Sequence, residues 1–82
     1  MDDQELLDRI EQDPDVLAGK PVIEGTRLSV EFILNLLAQG TSQEEILEEY
    51  TGLERDDIRA CLIFAQKTVG ETSFVPRSRG SV

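Results

Sequence analysis

The chain has 82 residues, a formal net charge of −9, no histidine and one cysteine. A domain of this size buries only roughly 60–65% of its unfolded surface, so we expect it to gain stability from self-association or from a partner. Without histidine the commonest catalytic base and metal ligand is missing, and we expect no enzyme activity, cofactor, metal or small-molecule substrate. The lone Cys61 suits a reducing cytoplasm, and no apolar run approaches the length of a membrane span.

Charge is distributed unevenly along the chain. Residues 1–53 hold 13 acidic and three basic side chains, whereas residues 54–82 hold four acidic and five basic ones. An acidic body opposes phosphate binding and favours basic partners.

Residues 2–12 favour a short amphipathic helix. Asp2 and Glu5 have the spacing of a capping box, and Leu6, Leu7 and Ile10 fall on one face. In the next segment, Asp13-Pro14-Asp15 predicts the start of a single helical turn that Gly19 closes.

A miniature hairpin is predicted between residues 20 and 29. Val22-Ile23 prefers an extended backbone, Glu24-Gly25-Thr26 suits a tight turn, and Arg27-Leu28 returns as a second extended piece. Ser29 is placed to cap the helix that follows.

Arg27 has two interpretations. We favour a partly buried guanidinium that braces the hairpin by pairing with a carboxylate such as Asp13, Asp15 or Glu24. The alternative is a contact to a phosphate or to a partner protein.

The hairpin is too short to stand alone, because its strands are marginal in water and their edges must be covered. Helices of the same chain or an identical hairpin of a second subunit could cover them. We favour the second, since the following helix is more apolar than one small core requires, and predict a homodimer. The residues assigned to this structural and dimer motif are Gly19, Lys20, Pro21, Val22, Ile23, Gly25, Thr26, Arg27, Phe32 and Leu36.

Three helices are predicted after the hairpin, over about residues 30–39, 42–50 and 54–69. The first ends at Gly40 and carries a core stripe of Val30, Ile33, Leu34 and Leu37, with Phe32 and Leu36 outside it. The second begins with a capping box of Ser42 and Glu45. The third keeps a helical spacing of apolar residues up to the predicted cap at Gly70, namely Ile58, Cys61, Leu62, Ala65 and Val69.

The turn over residues 50–53 has the length of a helix-turn-helix connection. The third helix then offers Arg55, Arg59 and Lys67 to DNA, but acidic side chains flank them, including Asp56 and Asp57, which suit the helix macrodipole. We therefore expect the isolated chain to bind duplex DNA weakly.

The motifs G-K-P-V-I-x-G-T-R-L-x-V (residues 19–30), G-x-S-x-E-E-I-L-x-x-Y (40–50) and L-x-x-x-D-I-x-A-x-L (53–62) resemble the domain-of-unknown-function family four-three-three. The resemblance covers about residues 13–65. It implies a homeodomain-like three-helix fold and the role of a VapB-type antitoxin beside a PIN-like ribonuclease toxin. Family members are usually extended at the place of Arg9-Ile10, so a strand there is the alternative to the first helix.

Our interpretation is an all-α, homeodomain-like three-helix domain with a helix-turn-helix and a short N-terminal β-hairpin over residues 1–70. A flexible tail follows over 71–82, where Phe74, Val75, Arg77 and Arg79 are the expected contacts to the toxin. The expected function is non-enzymatic neutralisation of the toxin, with DNA-bound autoregulation as an addition. The alternatives are a transcription regulator that acts without a toxin and an acidic adaptor for some other basic partner.

Overall fold

The computed structural model describes residues 2–71 and shows a mainly helical domain with a small two-stranded sheet, which confirms the predicted fold class. The later helices begin and end within two residues of their predicted bounds. The elements in chain order are α1 (Asp3–Leu7), β1 (Ile10–Glu11), a 3₁₀ turn (Leu17–Gly19), β2 (Val22–Ile23), α2 (Val30–Ala38), α3 (Gln43–Glu49) and α4 (Arg55–Glu71).

The N-terminal segment contains both of the alternatives that its sequence left open. Asp2 and Glu5 form the predicted capping box, with the Glu5 backbone N–H donating to Asp2 Oδ1 at 2.9 Å and the Asp2 N–H donating to Glu5 Oε1 at 3.1 Å. The helix ends at Leu7, and Ile10 then begins strand β1. A helix and a strand fit in ten residues because each is short.

Strand β2 is hydrogen-bonded on both sides within the chain. It pairs antiparallel with β1, so that Ile10 lies opposite Ile23 and Glu11 opposite Val22. On its other side, the Ile23 N–H donates to the Leu28 carbonyl at 3.0 Å, and Val22 forms an isolated bridge with Ser29. The predicted second strand at Arg27-Leu28 was therefore wrong, because β2 pairs with β1 instead. The expectation that a second subunit covers this edge was therefore wrong, because β1 of the same chain covers it.

Local capping signals set the helix starts. The Ser29 side chain accepts a hydrogen bond from the Phe32 N–H at 2.9 Å, and Ser42 and Glu45 form the predicted capping box. Gly40 follows α2 with φ of +97°, a conformation that favours glycine. These local predictions are confirmed.

The main core lies between β2 and the three later helices. Phe32 and Leu36, which the sequence placed outside the core stripe, pack against this core, and the Phe32 ring meets Tyr50 edge-on at 5.5 Å between ring centroids. Both side chains are only partly buried, so the dimer contact assigned to them stays a prediction. The buried members of the main core are Ile23, Val30, Ile33, Ile46, Leu53, Ile58 and Cys61.

A second, smaller core joins α1 to α4, where Leu6 packs with Ala60 and Ile63. Helix α4 is thus buried on two sides over its first half, whereas the sequence predicted one apolar stripe along the helix. Two residues of the predicted stripe, Leu62 and Val69, are exposed instead. The predicted stop at Gly70 was also wrong, since α4 continues to Glu71.

Candidate functional site

Arg9 fixes the N-terminal segment to the first turn of α4. Its Nη1 donates to Glu54 Oε1 at 2.8 Å and to Asp57 Oδ1 at 3.0 Å, and its Nη2 lies 3.9 Å from Asp56 Oδ2. The hydrogen bonds to Glu54, and next those to Asp57, raise the pKa of Arg9 above its ordinary value. We call this cluster the Arg9 clamp.

Asp57 is the only buried charged side chain among residues 2–71. Its second oxygen accepts a hydrogen bond from the Glu54 N–H at 2.9 Å, so Asp57 both starts α4 and neutralises Arg9. The sequence analysis assigned Asp57 only a role at the start of α4, and it assigned no role to Arg9. The available signal was that Arg9 is the only basic residue among the first 19, in a strongly acidic segment.

Arg27 does not brace the hairpin. Its side chain is exposed, and it forms no ion pair with any residue between 2 and 71. Thr26 locks the turn instead, because its hydroxyl donates to the Ile23 carbonyl at 2.8 Å and accepts from the Leu28 N–H at 3.0 Å. The predicted pairing of Arg27 with a carboxylate was wrong.

The other residues of the hairpin motif build the entry to α2. Gly19 and Gly25 adopt φ of +82° and +83°, and the Pro21 carbonyl accepts from the Val30 N–H at 2.9 Å. Lys20 Nζ lies 2.9 Å from Glu31 Oε1 in an exposed ion pair. We infer from these φ values and contacts that the residues of the motif shape the turn that leads into α2.

The basic residues proposed for DNA do not form one patch. Arg55 donates to Gln43 Oε1 at 3.2 Å and lies 3.6 Å from Glu44 Oε2, so α3 already engages it. Arg59 is exposed one turn further along α4. Lys67 is about 18 Å along the helix from Arg55 and lines a separate cavity with Leu7.

Helix α3 presents four exposed carboxylates, which we call the acidic surface: Glu44, Glu45, Glu48 and Glu49. Only Glu44 forms an ion pair within residues 2–71. The Ser42 backbone N–H and then its hydroxyl hydrogen-bond to Glu45, and these bonds lower the pKa of that carboxyl. The carboxylate of Glu45 therefore stays ionised at neutral pH.

An apolar groove of about 440 Å³ runs between α2 and α4, and we call it the α2–α4 groove. Seven of its ten lining residues are apolar, and the three polar ones are Glu31, Asn35 and Thr68. Its apolar lining consists of Pro21, Val30, Leu34, Ala38, Phe64, Ala65 and Val69.

Cys61 is fully buried and forms no disulfide. Burial, and to a lesser degree the charge of Asp57, raises the pKa of its thiol to about 12. The thiol is therefore protonated at neutral pH, which makes it a core residue without nucleophilic reactivity.

Over residues 2–71, His, Cys, Asp and Glu side chains form no group of three or more that could hold a metal ion. Within the same range, every helix is too short or too polar to cross a membrane. The residues predicted to contact the toxin, Phe74, Val75, Arg77 and Arg79, lie outside the described part of the chain.

Comparison with known structures supports the fold. A crystal structure of a DUF433 member protein from Anabaena variabilis ATCC 29413 superposes with a TM-score of 0.73 at 28% sequence identity. The match covers 83% of this chain and 67% of that one.

Sequence comparison gives the family. The uncharacterized protein y4eO of Sinorhizobium fredii (strain NBRC 101917 / NGR234) is 40% identical over 53 residues, which are 65% of this chain. The chain matches only 24% of the length of that relative. The model of the family described as "Protein of unknown function (DUF433)" matches residues 10–65. These residues hold the hairpin, the Arg9-anchored strand and most of the helical core, and the chain belongs to the DUF433 family.

Proposed function

We propose that this chain is a non-enzymatic antitoxin-type protein that binds and neutralises a PIN-like ribonuclease, the partner that the sequence resemblance implies. The observation that carries the proposal is the acidic surface of α3. A ribonuclease must attract the phosphates of RNA with basic side chains, and a folded array of carboxylates is attracted to the same basic rim.

The acidic surface is ordered for such a contact. Glu44 and Glu48 are one helical turn apart, and so are Glu45 and Glu49, which gives two parallel acidic rows. The capping box at Ser42 fixes the start of α3, while Arg55 compensates only Glu44. Because Glu45 accepts from the Ser42 N–H, Glu48 and Glu49 are left to a partner.

The C-terminal segment supplies the second part of the proposal. A PIN-like nuclease holds its metal ions with a cluster of aspartates and glutamates. A guanidinium pairs bidentately with carboxylates and keeps its charge at any physiological pH. We assign Arg77 and Arg79 to that cluster and Phe74-Val75 to an apolar anchor beside it.

The same charges make duplex DNA an unfavourable ligand for the isolated chain. Each phosphate contact needs a Lys or Arg, and each adds about one unit to the log–log salt slope of binding. Arg55 is engaged by α3 and Lys67 lies on another part of α4, so of the three only Arg59, which is exposed, is left near the start of α4. DNA-bound autoregulation then depends on the complex with the nuclease.

Inhibition of RNA cleavage by the purified nuclease tests this proposal. The chain is co-expressed with the product of the neighbouring reading frame, which is the nuclease under this proposal. We expect a stable complex, and we expect the double variant Glu48→Lys/Glu49→Lys to inhibit at least ~10-fold more weakly. The matched control is Glu11→Lys/Glu24→Lys, which changes charge equally at exposed positions outside α3.

Two further variants test the C-terminal segment. Arg77→Glu/Arg79→Glu and a truncation after Glu71 should both lose inhibition, whereas circular dichroism should show an intact domain. The proposal fails if no complex forms, or if the α3 variant and its control inhibit equally. Full inhibition by the truncated chain would refute the role of the two arginines.

A further inference from the structure

The α2–α4 groove lies beside the last turns of α4, close to the point where the described part of the chain ends. Helix α4 lines it with Phe64, Ala65, Thr68 and Val69, and the last of these is two residues before the end of α4 at Glu71. The α4 side of the groove therefore spans about 8 Å of the helix and ends about 3 Å before Glu71. The chain that follows Glu71 starts next to the groove.

The surface of the groove favours an apolar occupant. Val69 is 65% exposed and is one of three large hydrophobic side chains exposed in the described part of the chain. Across the groove, α2 contributes Leu34 and Ala38. Its charged lining residue, Glu31, is paired with Lys20 at 2.9 Å. An apolar groove with few charges at its edge is typical of a protein-binding surface.

Residues 72–82, which we call the C-terminal segment, carry a suitable occupant at a suitable distance. The apolar pair Phe74-Val75 begins three residues after Glu71. Three residues of extended chain reach about 10 Å, and Val69 lies only about 3 Å back along the helix from Glu71. A reversal of the chain after α4 is therefore long enough to return Phe74 to the groove.

Charge favours the C-terminal segment over a second copy of the chain. Residues 1–71 hold 17 acidic and six basic side chains, a net charge of −11. Residues 72–82 hold no acidic side chain and two arginines, a net charge of +2. The acidic body therefore attracts this segment, whereas two whole chains with a net charge of −9 repel each other.

We infer that the α2–α4 groove binds the C-terminal segment of the same chain, with Phe74-Val75 packed between α2 and α4. Only two residues separate this pair from Glu71. Such a short connection gives an effective concentration on the order of millimolar, without the entropy that association of two molecules costs.

The inference does not rest on the proposed function, because it concerns the chain without any nuclease. If the proposed function also holds, the groove covers Phe74-Val75 until the nuclease displaces them. The groove would then compete with the nuclease for the same apolar pair.

Nuclear Overhauser contacts of the Phe74 ring in the full chain test the inference. We expect contacts between the ring protons and the methyl groups of Leu34 and Val69. Ala38→Lys places a long cationic side chain in the groove at an exposed position and should abolish these contacts. The matched control is Gln39→Lys, which adds the same charge at the neighbouring exposed position outside the groove and should keep them. Circular dichroism checks that both variants fold.

A sample that mixes isotope-labelled and unlabelled chains separates contacts within one chain from contacts between chains. Contacts within one chain support the inference. Contacts that arise only between chains would identify a second copy as the occupant and overturn it. It is also overturned if the Phe74 ring makes no contact with the groove, or if Gln39→Lys abolishes the contacts as Ala38→Lys does. These outcomes are independent of the proposed function, since none of them measures inhibition of a nuclease.

Discussion

The two halves of α4 both carry apolar residues at helical spacing but have different surroundings. In the first half, Asp57, Ile58, Ala60, Cys61 and Ile63 are buried among α1, α2 and α3. Between residues 64 and 71 no side chain is fully buried, and the residues from 66 to 71 are exposed. The same helical spacing thus continues from a core into a surface. This comparison shows that apolar periodicity identifies the apolar face of a helix but does not say whether that face is buried in the fold.

Replacing one apolar residue in each half should give the largest difference in the free energy of unfolding. Ile58→Ala leaves a cavity in the main core and should lower the free energy of unfolding by about 2–5 kcal/mol. Val69→Ala removes an exposed side chain and should change it by less than about 0.5 kcal/mol in dilute protein. Urea denaturation followed by circular dichroism measures both. Equal losses would show that the two halves are packed alike.

The Arg9 clamp provides the next contrast, between a partly buried ion pair and an exposed one. Arg9→Met leaves Asp57 buried without its cation, which is strongly unfavourable. Lys20→Met removes the exposed pair with Glu31 and should cost less than about 1 kcal/mol. We expect the midpoint of thermal unfolding to fall by several degrees more for Arg9→Met. Similar midpoints for the two variants would contradict a stabilising role for the clamp.

The Arg9 clamp also shows which kind of contact the sequence alone does not predict. Capping residues such as Ser29, Ser42 and Asp2 were identified because their partners lie three positions away. Arg9 meets its carboxylates 45 and 48 residues later, and no local spacing encodes that contact. For the same reason β1 was one alternative among two, since a two-residue strand is defined only by the strand that it pairs with.

Of the candidate surfaces, too, one could be predicted from the sequence and another could not. The acidic surface of α3 could be read from four glutamates in six residues. The exposure of Leu62 and Val69 could not, because their spacing is equally suited to a core. Ile58 and Cys61 face the main core and Ala60 and Ile63 face Leu6, which leaves Leu62 and Val69 outside both cores.

The ionisation of Cys61 gives a smaller effect that reports on burial in the first half of α4. Its folded-state pKa is raised to about 12, so the thiol of the unfolded chain ionises first as the pH rises. The stability due to the neutral thiol is fully present below the unfolded pKa, near ~8.5, and is lost as the pH approaches about 12. The slope should be about 1.4 kcal/mol per pH unit. Comparing urea denaturation of the chain and of Cys61→Ala across this range isolates the thiol, and identical slopes would contradict the burial.

Hydrogen–deuterium exchange along α4 tests most directly the claim that the first half of this helix is packed into the fold and the second half is exposed. We expect strong protection of the backbone amides at 58–63 and weak protection at 64–71, because the second half of the helix opens without disturbing either core. Protection that is uniform over these amides would contradict the claim.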